Sequence, residues 1–272
     1  PVFRLLRVPV LLQSTRENET GTRKGDVIMK KLLIALITLI PSLTFAAGPT
    51  VPLDEAKVDL HDKASLQRGA QLYMNYCLGC HSLEYARYNR MFSDLEIPQE
   101  LGEKYLQFTG DKAGDLITIN MSPEAAGNWF GNPPPDLTNV ARVRGEDWIY
   151  TYLRSFYKDD SRPFGVNNAV FPNVGMPHVL EELQGMPAKT YEERRIDGEM
   201  KEVYAGIQAD GTGRLTESEY DQAMLDLTSF LVYMGEPMLL EQRRMGWFAF
   251  GFLLVFTILA WLLKKEFWRD LK

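Results

Sequence analysis

Cysteine and histidine are scarce in this chain: two of one and three of the other in 272 residues. So few thiols exclude a disulfide-stapled fold, which leaves stability to a hydrophobic core and any bound group. A structural zinc site needs four Cys or His ligands, and beyond the two cysteines and their neighbour only His61 and His178 remain. Internal repeats and low-complexity tracts are absent, which excludes a solenoid. Positive charge is not in excess either, with 30 basic residues against 36 acidic ones and a formal charge of −6. A nucleic-acid ligand is therefore disfavoured.

The two cysteines stand together, in Cys77-Leu78-Gly79-Cys80-His81. CxxCH is the attachment signature of a c-type haem. Two soft nucleophiles two residues apart can tether the porphyrin edge, and the adjacent imidazole can ligate the iron from below. A thioredoxin-like redox pair has no use for the histidine and requires a βαβ setting, for which there is no sequence signal. The expected cofactor is one covalently attached haem c, held by Cys77 and Cys80 with His81 as proximal ligand.

The ends of the chain address it to a membrane. From Met29, Lys30 and Lys31 precede the apolar stretch Leu32–Ile40 and the small-residue site Thr44-Phe45-Ala46. That order predicts a signal peptide over 29–46. Residues 1–28 precede this complete signal and are read as a mis-set upstream extension, outside the fold. At the other end, Gly246–Leu263 is an uncharged run that as a helix spans about 27 Å, enough for a bilayer. Trp247 and Trp261 lie near its ends, and Lys264, Lys265, Arg269 and Lys272 follow. The expected layout is an exported domain over 47–243, a transmembrane anchor over 244–263 and a cytoplasmic tail over 264–272. Loss of residues 1–46 removes seven basic and three acidic residues, so −6 becomes −10, and the exported part alone is near −12. An acidic domain of this kind attracts basic partners.

About 200 residues between signal and anchor make one domain. Ala64–Leu78 reads as a helix with Ser65 as a candidate cap, and Gly69 and Tyr73 fall on one face. Tyr220–Met234 reads as a second, with Ala223, Leu227, Phe230 and Leu231 together, and Glu146–Phe156 as a third, with Ile149, Leu153 and Phe156 together. Ser122–Asn139 and Pro163–Pro187, rich in Pro, Gly and Asn, read as long structured loops. Asp210-Gly211-Thr212-Gly213 lacks the alternating carboxylates of a calcium loop and reads as a plain turn.

The far side of the haem needs an answer, because the axial pair sets potential and reactivity. Met224 and Met234 sit in the closing helix as core residues, and Met74 is too near the haem motif to reach across. Met176 lies between Gly175 and Pro177 in a loop able to present a thioether rigidly. It is the leading candidate, with His178 or an open position as the alternatives.

Several segments, in order, resemble the cytochrome c1 family, the haem subunit of quinol–cytochrome c reductase complexes. They are NYCLGCHSLEYARYNR, PPPDLTNVARVRGEDWIYTYL, the VGMPH loop, DLTSFLVYMGEP and RRMGWFAF. The resemblance runs from about Gln71 to Lys272 and implies a mainly α, class I cytochrome c-like haem domain with long loop insertions and one C-terminal transmembrane helix. It implies His81 and Met176 as axial ligands, Arg142 paired with a haem propionate, and Pro134 and Pro135 packed on the haem plane. A guanidinium suits a carboxylate fork, which gives Arg142 a physical case as well. The implied partners are cytochrome b, a Rieske iron–sulfur protein, a soluble or tethered cytochrome c and membrane lipid, in a homodimeric complex of the bacterial inner membrane. The implied role is one-electron transfer without bond chemistry. A membrane-anchored monohaem cytochrome serving another oxidase or dehydrogenase is the alternative. Residues 189–213 have no assigned role.

Overall fold

The computed structural model describes residues 51–196 and 198–269. The expected signal peptide, the upstream extension and residues 270–272 of the tail lie outside them. The helices are α1 (Lys63–Leu72), α2 (Tyr88–Asp94), α3 (Gln99–Tyr105), α4 (Pro123–Phe130), α5 (Val140–Arg144), α6 (Glu146–Leu153), α7 (Glu181–Gln184), α8 (Glu217–Gly235) and α9 (Leu239–Phe267). Three two-stranded antiparallel ribbons join them: β1 (Leu83–Arg87) with β2 (Leu116–Ile117), β3 (Phe156–Lys158) with β4 (Val166–Asn168), and β5 (Ala188–Ile196) with β6 (Glu199–Gln208). The fold is mainly α, as expected.

The α1–α8 crossing organises the core. Leu66, Gly69, Ala70 and Tyr73 on one helix meet Leu227, Phe230 and Leu231 on the other, all buried. Gly69 makes the crossing close. A Cβ there would strike the Asp226 carbonyl and sit 2.7 Å from the Phe230 Cβ. Asp226, 2 % exposed, locks the pair: its carboxylate accepts from Ser65 Oγ at 2.6 Å, Arg68 Nε at 2.6 Å and Gln222 Nε2 at 2.9 Å. Ser65 is thus a core residue and not the cap. Asp62 caps α1, its side chain accepting from the Ser65 amide. A carboxylate three residues earlier reaches the free amide that Ser65 itself carries. A capping box starts α8, where Thr216 accepts from the Glu219 amide and Glu219 accepts from the Thr216 amide.

The proline-rich stretch from Ser122 is not all loop. Ser122 accepts from the Ala125 amide, Pro123 opens α4, and Glu124 sits in its first turn. Three ordinary start signals outweigh the two glycines that follow. β4 and α7 likewise fall within the expected loop 163–187. Ile149 and Leu153 are buried in the main core, but α6 stops at Leu153, and Phe156 begins β3 and is buried in a separate cluster with Val166 and Val174. The stretch without an expectation holds the β5–β6 hairpin, whose Tyr191 and Tyr204 rings meet edge-on at 6.5 Å. Asp210 closes a turn beside it, its Oδ1 accepting from the amides of Met186 and Thr212.

In α9, Met245–Phe267 is long and apolar enough to cross a membrane, and its apolar side chains are exposed along its length.

Candidate haem site

The CxxCH motif forms at the end of α1. The helix widens over Tyr73–Cys77, and the amides of Cys80 and His81 both donate to the Cys77 carbonyl, at 3.0 and 2.9 Å. This turn brings the two thiols and the imidazole round on one loop. Tyr73 Oη donates to the His81 carbonyl at 2.7 Å and ties the loop back to α1. Both cysteines are free. Burial pushes the Cys77 thiol up to about 12, with the nearby Cys80 charge adding to it, and burial also raises Cys80.

His81 is oriented from behind. Its Nδ1 lies 2.7 Å from the Pro135 carbonyl oxygen. A carbonyl only accepts, so Nδ1 carries the proton and Nε2 keeps a free lone pair for a metal. Burial lowers the pKa of His81, against the opposing pull of Pro135 and Asp136, and so favours the neutral ligand form. The segment around Pro135 is stitched in place. Asp136 accepts from the Glu84 and Thr138 amides, and the Leu137 amide donates to the Ser82 carbonyl. Pro134 lines a cavity of about 240 Å³ with Ser82, Met121 and Pro133.

Met176 lies on a second cluster with Phe156, Val166 and Val174. Gly175 passes close beneath Phe130, whose carbonyl oxygen would stand 3.3 Å from a Cβ at that position. Buried asparagines brace the preceding loop. Asn168 Oδ1 accepts from the amides of Val170 and Phe171, and its Nδ2 donates to the Tyr152 carbonyl. Asn167 Oδ1 accepts from the Asn173 amide, and Arg162 donates to the carbonyl of Asn173 at 3.0 Å. Asn173 adopts φ 63°, a left-handed conformation that asparagine tolerates.

Tyr152 links the two halves. Its ring packs against both hydrophobic clusters, one containing Cys77 and the other Met176. Its phenol donates to Met176 Sδ at 3.3 Å. Burial raises its pKa, and the proximity of Cys77 raises it further. A row of rings runs through it: Trp148 stacks on Tyr152 at 4.9 Å, Phe156 meets Tyr152 edge-on at 5.3 Å, and His178 stacks on Phe156 at 4.9 Å. Sequence reading missed this row, although Trp148, Tyr152 and Phe156 recur at a spacing of four.

His178 is 6 % exposed, and neither ring nitrogen has a hydrogen-bond partner. Burial pushes its pKa down to about 4. Gln184 is near enough to oppose that shift, yet its Oε1 is itself unpartnered. Unsatisfied buried polar atoms beside the Met176 loop fit a site built around a further polar or metal-bearing group. Together with paired thiols and an oriented imidazole, the donor set fits a haem c.

Arg142 stands on α5 with its guanidinium 3.1 Å from Glu236 and its side chain about 58 % exposed. His61 is exposed.

The model of the Cytochrome C1 family matches residues 54–115 and 110–271. The chain belongs to the cytochrome c1 family. It is 49 % identical to the cytochrome c1 of Allochromatium vinosum over 89 % of this chain and 99 % of that protein. It is 40 % identical to the ammonia monooxygenase gamma subunit of Nitrosomonas europaea over the same shares. To the cytochrome c1 of Rhodobacter capsulatus it is 24 % identical, over 90 % of this chain and 99 % of that one. Family and fold together make this a class I cytochrome c-like haem domain with long insertions and one C-terminal apolar helix, in a haem-bearing electron-transfer subunit.

Proposed function

We propose that this chain is the haem subunit of a quinol–cytochrome c reductase, taking single electrons from a Rieske iron–sulfur protein and passing them to a soluble or tethered cytochrome c. One observation supports the reading: the Tyr152 ring packs on the cluster that contains Cys77, and its phenol donates to Met176. Haem c, when bound, supplies a one-electron iron couple. Cys77 and Cys80 would tether it covalently, His81 would ligate through Nε2, and Met176 would ligate through Sδ. Met176 is preferred to His178 because its side chain keeps an open portion, whereas His178 is buried flat against Phe156 beside Gln184.

Arg142, whose exposed guanidinium now pairs with Glu236, would pair with a haem propionate, and Pro134 and Pro135 would pack against the haem. The protein's own work is to hold, orient and shield the group. α9 anchors the domain in the bacterial inner membrane, with the haem on the periplasmic side after removal of 29–46 and the C-terminus in the cytoplasm. Cytochrome b and the Rieske protein complete a homodimeric complex. The acidic exported surface docks a basic acceptor, and the rate falls with salt.

Purification of the complex tests this. The polypeptide should retain haem on a denaturing gel, resist carbon monoxide when reduced, and co-purify with a cytochrome b and a Rieske protein. A polypeptide that loses its pigment under denaturation sinks the covalent reading. The likeness to an ammonia monooxygenase gamma subunit favours a second reading, in which the same haem module serves a different oxidoreductase. Co-purification with that enzyme's subunits, and not with a cytochrome b, would select it.

A further inference from the structure

We propose that Asp136 is the positioning residue of the proximal imidazole: its carboxylate holds the Pro135 carbonyl against His81 Nδ1 and so sets how electron-rich that ring is. The proposal rests on the reading of His81 as a haem ligand.

Two segments run side by side behind His81, and their contacts form a ladder. His81 Nδ1 donates to the Pro135 carbonyl at 2.7 Å, the Leu137 amide to the Ser82 carbonyl at 3.0 Å, and the Glu84 amide to Asp136 Oδ2 at 2.7 Å. The Tyr85 amide reaches Thr138 Oγ1 at 3.4 Å. The haem-motif side is itself tied down. Tyr73 Oη donates to the His81 carbonyl at 2.7 Å, and Ser82 Oγ accepts from the Ile119 amide at 3.0 Å.

Asp136 works in two directions at once. Its Oδ1 accepts from the Thr138 amide at 2.9 Å, a local turn that shapes the chain directly after Pro135, while Oδ2 crosses to Glu84. One carboxylate therefore forms the turn and fastens it to the segment that carries His81. The Pro135 carbonyl carbon is bonded to the Asp136 nitrogen, so a displaced Asp136 moves the acceptor that His81 uses. Pro135 is exposed, which leaves hydrogen bonds and not burial to hold that carbonyl.

The electronic consequence has a definite sign. A short bond from Nδ1 to a fixed acceptor leaves the imidazole richer in electrons and a stronger donor at Nε2. Ferric iron depends more on ligand donation than ferrous iron does, so the clamp favours the oxidised state and lowers the potential.

The test is Asp136→Asn in the detergent-extracted holoprotein. The variant keeps the shape but puts an amide nitrogen, which cannot accept, in place of one carboxylate oxygen. Potentiometric titration should show the equilibrium with a reference couple displaced towards ferrous haem by about twofold to tenfold, the range of one net hydrogen bond. In proton NMR spectra of the ferrous protein, the His81 Nδ1 proton should move upfield as its bond lengthens. Glu84→Pro deletes the amide donor and leaves the Asp136 charge, and it should displace the equilibrium the same way, with Glu84→Ala as the control for the lost side chain. A displaced potential with an unmoved Nδ1 proton in Asp136→Asn means that Asp136 acts by charge alone, and overturns the proposal. So does an unchanged potential in a variant that keeps its covalent haem. A wild-type chain without covalent haem overturns the reading of His81 itself, and the proposal with it.

Discussion

Gly69 and Phe230 touch across the crossing of α1 and α8, with room for a hydrogen at position 69 and nothing larger. The neighbouring obstacle is the Asp226 backbone, which cannot rotate aside as a side chain can. Gly69→Ala should therefore cost about 1–3 kcal/mol or more through overpacking. Thermal unfolding followed at the haem band measures it, and an unchanged midpoint would show that the helices can slide apart freely.

Cys77→Ala and Cys80→Ala each remove one expected thioether. Each single variant should keep a haem stain on a denaturing gel with an altered reduced spectrum, and the double variant should lose the stain. Retained stain in the double variant would mean that attachment lies elsewhere, although the chain has no other cysteine.

Asn168 holds two amides and one carbonyl with a single buried side chain. Asn168→Ala leaves all three unsatisfied, at roughly 1–3 kcal/mol for each group that water cannot reach. The expected outcome is a less stable domain and a weakened sulfur-to-iron band, because the braced loop carries Met176. Chemical denaturation and ferric absorption read the two effects separately.

Asp159 supports the same loop from the surface, accepting from Ser161 and from Asn167 Nδ2. These bonds, led by Ser161, hold its pKa below the usual 3.8. A carboxylate with a depressed folded pKa stabilises above its unfolded value, and the contribution fades as pH falls through the folded one. The loop should loosen below about pH 3.8, and Asp159→Asn should flatten that part of the acid titration. Carboxylate chemical shifts followed by NMR would check the direction, and an Asp159 pKa above 3.8 would refute it.

Much of this architecture is legible in residue order. The faces of α1 and α8 carry their apolar residues at helical spacing, and CxxCH names its own chemistry. The β5–β6 hairpin is silent for a physical reason. Both faces of its outer part are solvated, so Tyr191-Glu192-Glu193-Arg194-Arg195 shows no alternation of apolar and polar residues.

The candidate ligands are legible in the sequence, and their supports are not. Cys77, Cys80 and His81 stand out by type and spacing, and Met176 by its place between Gly175 and Pro177. The bond from His81 uses a backbone carbonyl, which any residue at 135 supplies, so no side chain signals it. Tyr152 faces both clusters from α6, and the expected apolar face of that helix drew attention to Ile149 and Leu153 instead.

Only Glu236, Pro237 and Met238 separate the end of α8 from the start of α9. Three residues reach roughly 10 Å even when fully stretched. A haem carrier leashed this tightly to its own stalk has no room to ferry charge across a gap. The reach of this haem is set by where the apolar helix stands.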